Sequence, residues 1–120
     1  MDIYLPKEGT NSQNPTLPDA SITPVNQDGT INKSDIDASL AYVHVFLPCG
    51  IQLGDFVNWW QEHVGGGAWF GQREVTDVNS PVNIVVRNVF GAAAIDVSYE
   101  VTKADGAPVG ESGKRRYNIV

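Results

Sequence analysis

Two histidines and the carboxylates near them are the side chains of this sequence best suited to metal chemistry. His44 and His63, with Asp55 or Glu62, could supply imidazole and carboxylate ligands to a zinc ion. However, the adjacent Glu62 and His63 lack the helical spacing of a zinc motif. His44 falls within an apolar run, where a histidine more often makes packing hydrogen bonds than it ligates a metal. We therefore predict no metal site and no cofactor.

Nucleophilic catalysis has equally little support. The single cysteine, Cys49, has neither a nearby cation nor a helix start to activate it, so we expect a small apolar residue packed beside the core. One cysteine also excludes an internal disulfide bond and a thiolate zinc site. No Gly-x-Ser-x-Gly turn occurs, and the triple glycine at 65–67 precedes Ala68 instead of the Lys and Ser/Thr of a phosphate loop. We predict that the protein is not an enzyme.

Large aromatic side chains are the better candidates for a binding site. Trp59 and Trp60 are adjacent on a predicted strand and face opposite sides of it, so we expect one to be buried and the other partly exposed. Trp69 and Phe70 follow the triple glycine and are expected at the tip of a glycine-rich hairpin. These four residues are the predicted ligand-binding set, although packing into the core is the commoner role of such rings.

Composition restricts the classes of partner. The chain of 120 residues has a formal net charge of −6, which repels the phosphates of nucleic acids and of anionic lipids. Its one basic cluster, residues 114–116, is short and falls in a predicted terminal strand, where we expect a solvated edge. The first residues lack the basic and apolar regions of a signal peptide, and no stretch approaches membrane-spanning length. We predict no nucleic-acid partner and no membrane insertion.

Alternation of apolar and polar residues predicts an all-β protein. The clearest case is residues 95–102, in which Ile95, Val97, Tyr99 and Val101 face inward. The sequences at 26–29 and 104–107 predict tight turns, and a capping pattern at 34–37 predicts one helical turn. Further strands are predicted at residues 20–25, 42–47, 56–61, 72–78, 82–87 and 116–120.

These elements suggest a simple organisation. Three prolines and little apolar periodicity predict an extended N-terminal arm at residues 1–19. Residues 20–120 then hold about seven short strands separated by turns, the pattern of an antiparallel β-sandwich.

Two stretches resemble the immunoglobulin-like modules that are repeated in large bacterial surface and secreted proteins. Residues 52–60, Gln-Leu-Gly-Asp-Phe-Val-Asn-Trp-Trp, contain a Gly-Asp that opens a strand ending in Trp. Residues 96–112 contain a Val-Ser-Tyr-x-Val strand that turns through Asp-Gly toward a Ser. The similarity covers residues 22–120, with two departures: Trp60 comes about one residue early, and polar residues at 115–118 replace an apolar alternation.

The resemblance implies an immunoglobulin-like sandwich that acts without catalysis in adhesion, as a spacer or as a protein-interaction domain. It also implies a place at the cell surface or in a secreted protein, while the lack of a signal peptide leaves a cytoplasmic location open. A lectin-like protein is the alternative, in which Trp59 or Trp60, Trp69 and Phe70 would stack on sugar rings. A further possibility is a homo-oligomer formed through exposed edge strands.

Overall fold

The chain folds into two antiparallel sheets in a computed structural model that describes residues 17–120. The strands are β1 (Ser21–Thr23), β2 (Tyr42–Val45), β3 (Phe56–His63), β4 (Ala68–Glu74), β5 (Val82–Val85), β6 (Ala94–Thr102), β7 (Pro108–Glu111) and β8 (Arg115–Asn118). One sheet has the strand order β1-β2-β5. The other has the order β4-β3-β6-β7, and β8 pairs with β6 beyond the end of β7. This confirms the predicted all-β sandwich.

The core lies between the two sheets. It is formed by every second side chain of each strand, because successive side chains point to opposite faces of a sheet. In β6 the four predicted inward residues are all at most 1% exposed, as predicted. They pack with Val57 and Trp59 of β3 and with apolar residues of the smaller sheet, among them Val43, Val45 and Ile84. Burial of these side chains is the main force that holds the sheets together.

The outward face of β6 is less exposed than its polar residues suggest. Ser98 and Thr102 are each only 2% exposed, and Glu100 is 8% exposed. Ser98 lies directly across from Trp60 of β3, and the side chain of Asn58 donates a hydrogen bond to Thr102. Most of the outward-facing polar side chains of β6 are therefore buried as well.

Several local predictions are confirmed, and two need correction. The turns at 26–29 and 103–107 close with backbone hydrogen bonds, and the helical turn α1 spans Lys33–Asp37. However, β4 begins at Ala68, so Trp69 and Phe70 lie within a paired strand and only the glycines form the tip. The strand predicted at 72–78 thus begins earlier than predicted, at Ala68, and also ends earlier, at Glu74. In addition, β7 is a strand that was not predicted.

Hydrogen bonds join β1 and the residues just before it to the larger sheet. The Tyr99 hydroxyl donates to the Pro18 carbonyl at 2.6 Å, and the Tyr117 hydroxyl accepts from the Ile22 amide at 3.0 Å. Leu17 packs against the core. Most of the predicted arm, residues 1–16, lies outside the described residues. In the part of the chain that is described, no helix is long and apolar enough to cross a bilayer.

Candidate functional site

A cleft of about 470 Å³ opens where the β3–β4 turn meets the loop between β5 and β6. The turn contributes three glycines with positive φ, which no other residue type would adopt without strain. We call this feature the aromatic cleft. Its lining residues are His63, Val64, Gly65, Gly66, Gly67, Ala68, Trp69, Val89, Phe90, Gly91 and Ala92.

Two stacked rings form one wall of the aromatic cleft. The rings of Trp69 and Phe90 have centroids 6.0 Å apart and planes inclined by 19°. The indole Nε1–H of Trp69 donates to the carbonyl of Asn88 at 2.8 Å, which fixes the ring against the loop. Trp69 is 37% exposed and Phe90 is 72% exposed, so the pair presents a large apolar surface to solvent.

The backbone at Phe90 is held in a conformation that bulky residues avoid. Its φ is +49°, in the left-handed region, and the next residue, Gly91, has φ +78°. The Asn88 side chain accepts a hydrogen bond from the Phe90 amide at 2.8 Å, and the Ala92 amide donates to Val89. The loop thus forces the Phe90 ring outward, over the cleft, at a cost in backbone strain.

Hydrogen bonds between β3 and the segment after β5 set the state of His63, which lines the cleft. Gln61 accepts a hydrogen bond from the Arg87 amide at 2.8 Å and donates one to the Arg87 carbonyl at 2.9 Å. These two bonds fix which end of the amide is nitrogen, and that nitrogen lies 3.1 Å from Nε2 of His63. Since the amide nitrogen is only a donor, Nε2 of His63 must accept, and the ring is neutral with its proton on Nδ1.

The electrostatics of the cleft follow from this arrangement. His63 is 8% exposed, and burial lowers its pKa from the usual 6.5. It is also the one side chain among the lining residues that can titrate, since the others are apolar or glycine. At neutral pH the aromatic cleft is therefore an uncharged site.

The predicted ligand-binding residues do not form one site. Trp69 lines the cleft, whereas Phe70 projects from the opposite face of β4 and is 54% exposed. The expectation that one of Trp59 and Trp60 is partly exposed is wrong, because they are 8% and 2% exposed. Trp59 belongs to the core cluster, under the guanidinium of Arg87 at 5.5 Å. Trp60 faces the other way, and its indole nitrogen has no hydrogen-bond partner among the described residues.

Of the four predicted ligand-binding residues, only Trp69 lines the aromatic cleft. Phe90 and His63, which also line it, were not predicted to bind a ligand. Phe90 lies between the predicted strands 82–87 and 95–102, in a connection with no predicted role, and the sequence indicates His63 only as a possible metal ligand. A large aromatic followed by glycine, between Asn88 and three alanines, was the one available signal. It was weak, because sequence alone does not say which loop residue adopts a positive φ.

The groups considered for metal chemistry lie apart. His44, in the smaller sheet, bonds to Thr23 and Asn83, as expected for a packing histidine. Asp55 pairs with Lys103 at 3.2 Å. Within residues 17–120, no group of three or more His, Cys, Asp or Glu side chains is placed to hold a metal ion. Cys49 is exposed, so the expectation that it packs beside the core is wrong: the corner at 48–50 projects into solvent.

Comparison with known proteins identifies no relative of the chain. We find no family model, no curated protein and no solved structure that matches the chain. A functional interpretation therefore depends on the geometry of the cleft and on the sequence resemblance.

Proposed function

We propose that the protein is a non-catalytic, immunoglobulin-like module of bacterial type, which serves in interaction or adhesion by binding a partner at the aromatic cleft. The strand order supports the immunoglobulin-like part. The chain crosses between the sheets from β2 to β3, from β4 to β5 and from β5 to β6, which gives the Greek-key pattern of such sandwiches. A location at the cell surface or in a secreted protein accompanies this resemblance and is part of the proposal.

The pairing of Trp69 with Phe90 carries the binding part. A phenylalanine that is 72% exposed gains little from burial, and at φ +49° it also strains the backbone. Folding alone gives no reason to keep such a residue there. Strained, exposed aromatics at the mouth of a cleft are instead typical of contact sites, where the partner completes the burial.

The lining restricts the chemistry of the partner. With a neutral His63 and otherwise uncharged residues, the cleft offers no countercharge to an anion or a cation. A ligand that enters it would leave any charge unpaired, which is unfavourable. We expect an uncharged, flat-sided group, and in a protein partner this would be an apolar or aromatic side chain.

A lectin-like role is the second candidate, and the exposure of the Phe90 ring favours it. This ring is 72% exposed and is supported from beneath by its stack on Trp69, so it offers an aromatic surface that suits contact with the apolar face of a sugar ring. Phe70 and the two buried tryptophans would have no part in that contact, so this version depends on Trp69 and Phe90 alone.

Indole fluorescence tests both versions. Trp69 is the most exposed of the three tryptophans, so a ligand in the cleft should quench or blue-shift its emission over a nearly constant background from Trp59 and Trp60. The probes are neutral saccharides and short peptides that carry Phe, which adds no indole emission. Trp69→Ala should abolish the response and Phe70→Ala should preserve it. A flat response to both panels would contradict binding at the cleft.

A further inference from the structure

The outer edge of the larger sheet is formed by β4, a long strand that is open to solvent. Within residues 17–120 it pairs on one side only, with β3, over seven residues without a register shift. Every residue of β4 except Gly71 is exposed. The strand has no proline and no bulge, two devices by which proteins protect such edges. Among residues 17–120 nothing pairs with its outer side, so it can serve as a template for another strand.

The backbone groups of β4 that do not bond to β3 can be identified. The His63 amide donates to the Gly67 carbonyl, and the Val75 amide donates to the Asp55 carbonyl. Because hydrogen bonding alternates along an antiparallel pair, the odd-numbered residues from 67 to 75 bond to β3. The amides and carbonyls of Ala68, Phe70, Gln72 and Glu74 then point away from the sheet.

We propose that β4 pairs antiparallel with β4 of a second copy of the chain, about a two-fold axis at Gly71. This register is the one that uses all four outward-pointing residues of both strands. It sets Ala68 opposite Glu74 and Phe70 opposite Gln72 as hydrogen-bonded pairs. It joins the two larger sheets into one continuous sheet of two molecules, and by symmetry each contact occurs twice.

The side chains of β4 match one another in this register. Trp69 lies opposite Arg73 of the second copy in a non-hydrogen-bonded pair, the position at which side chains come closest. An arginine over an indole is a favourable contact, and two such contacts form. Phe70 lies opposite the uncharged Gln72, so its exposed ring gains cover without burying a charge.

Charge also favours a second copy at this edge. The whole chain carries −6, so two copies repel each other over most of their surfaces. In β4 the charges of Arg73 and Glu74 cancel, which gives an edge of zero net charge where a second copy can approach. A contact of seven residues a side is small, so we expect a weak dimer that strengthens as salt screens the remaining repulsion.

Proline substitution on the outward-pointing amides tests the pairing. The Phe70 amide makes no bond to β3, so Phe70→Pro removes a donor only from the free edge. Phe70→Ala keeps that donor and is the matched control for loss of the ring. In sedimentation over roughly a hundredfold range of concentration, the unchanged chain should dimerise, and Phe70→Pro should weaken the dimer by tenfold or more relative to Phe70→Ala. Equal dimerisation of both variants, or a monomer throughout, would overturn the proposal.

Cross-linking tests the register and does not depend on tolerance of proline. In a Cys49→Ser background, Phe70→Cys and Gln72→Cys are made as separate proteins. Opposed residues of a hydrogen-bonded pair have Cα atoms about 5.5 Å apart, which suits a disulfide bond. Mixing the two proteins under oxidation should give a linked dimer, while each protein alone should give little. Linking by Phe70→Cys alone would indicate another register, and no linking in the mixture would contradict the pairing. Neither Phe70 nor Gln72 lines the aromatic cleft, so the cross-linking result reports the pairing of β4 whether or not a ligand binds in the cleft.

Discussion

The indole of Trp59 lies so close to Gly71 on the neighbouring strand that a β-carbon at residue 71 would stand 2.6 Å from Cζ2 of the ring. The two residues are directly opposed in the β3–β4 register. Glycine is therefore required at residue 71 by the indole, which fills the space that a side chain would need. The same contact lets Trp59 close the edge of the core beneath β4.

Gly71→Ala should destabilise the fold by about 1–3 kcal/mol, because the contact involves ring atoms of a packed indole that has little room to move. Denaturant unfolding measures the loss. In a Trp59→Leu background the same substitution should cost clearly less, since the obstructing ring is gone. Equal costs in the two backgrounds would show that the indole is not the obstacle.

Stability should fall at alkaline pH because of Tyr99. Burial, with a smaller contribution from Asp19, raises the pKa of its hydroxyl from 10.0 to about 12. The stability that this group contributes is complete below pH 10 and is lost as the pH rises from there through about 12. Tyr99→Phe should flatten that fall, and at neutral pH it should cost about 1 kcal/mol through the lost bond to Pro18. Unfolding curves at several pH values provide the measurement. The exposed Tyr42→Phe should change stability at neutral pH by under about 0.5 kcal/mol.

Acid should destabilise the protein through His63. Burial lowers the pKa of its imidazole below 6.5, and the neutral ring accepts a hydrogen bond from Gln61 that the protonated ring could not accept. The stability from this group is present above pH 6.5 and is lost as the pH falls through the lower pKa of the folded state. In His63→Gln this part of the pH dependence should disappear. A histidine titration by NMR in which His63 shows a pKa at or above 6.5 would contradict the account.

Phe90→Asn should separate binding from stability. Asparagine tolerates a positive φ better than phenylalanine, so the substitution relieves strain while it removes the stacked ring. We expect the free energy of unfolding to stay within about 0.5 kcal/mol or to rise, and the ligand response of Trp69 to be lost. A variant that unfolds easily would show that the Phe90 ring is structural instead.

The sequence predicted the framework well because its signals are local. Alternation along 95–102 and glycine turns at 26–29 and 104–107 depend on near neighbours, and each of these elements is found. The site was less predictable. The packing of segments that are distant in sequence decides whether Trp60 is buried and whether the Phe90 ring points outward. Adjacent tryptophans on a strand indicated opposite faces correctly, but not that both faces are buried.

The three indole N–H signals in a ¹⁵N-resolved NMR spectrum give the most direct test of the aromatic cleft as a binding site. Trp69 donates its N–H to Asn88 at the cleft wall, while Trp59 is in the core and Trp60 is on the opposite face of β3. During titration with the neutral saccharides and aromatic peptides, we predict a saturable shift of the Trp69 indole and of the Phe90 amide, with the other two indoles unchanged. No shift with any probe, or shifts confined to residues away from the cleft, would contradict the account.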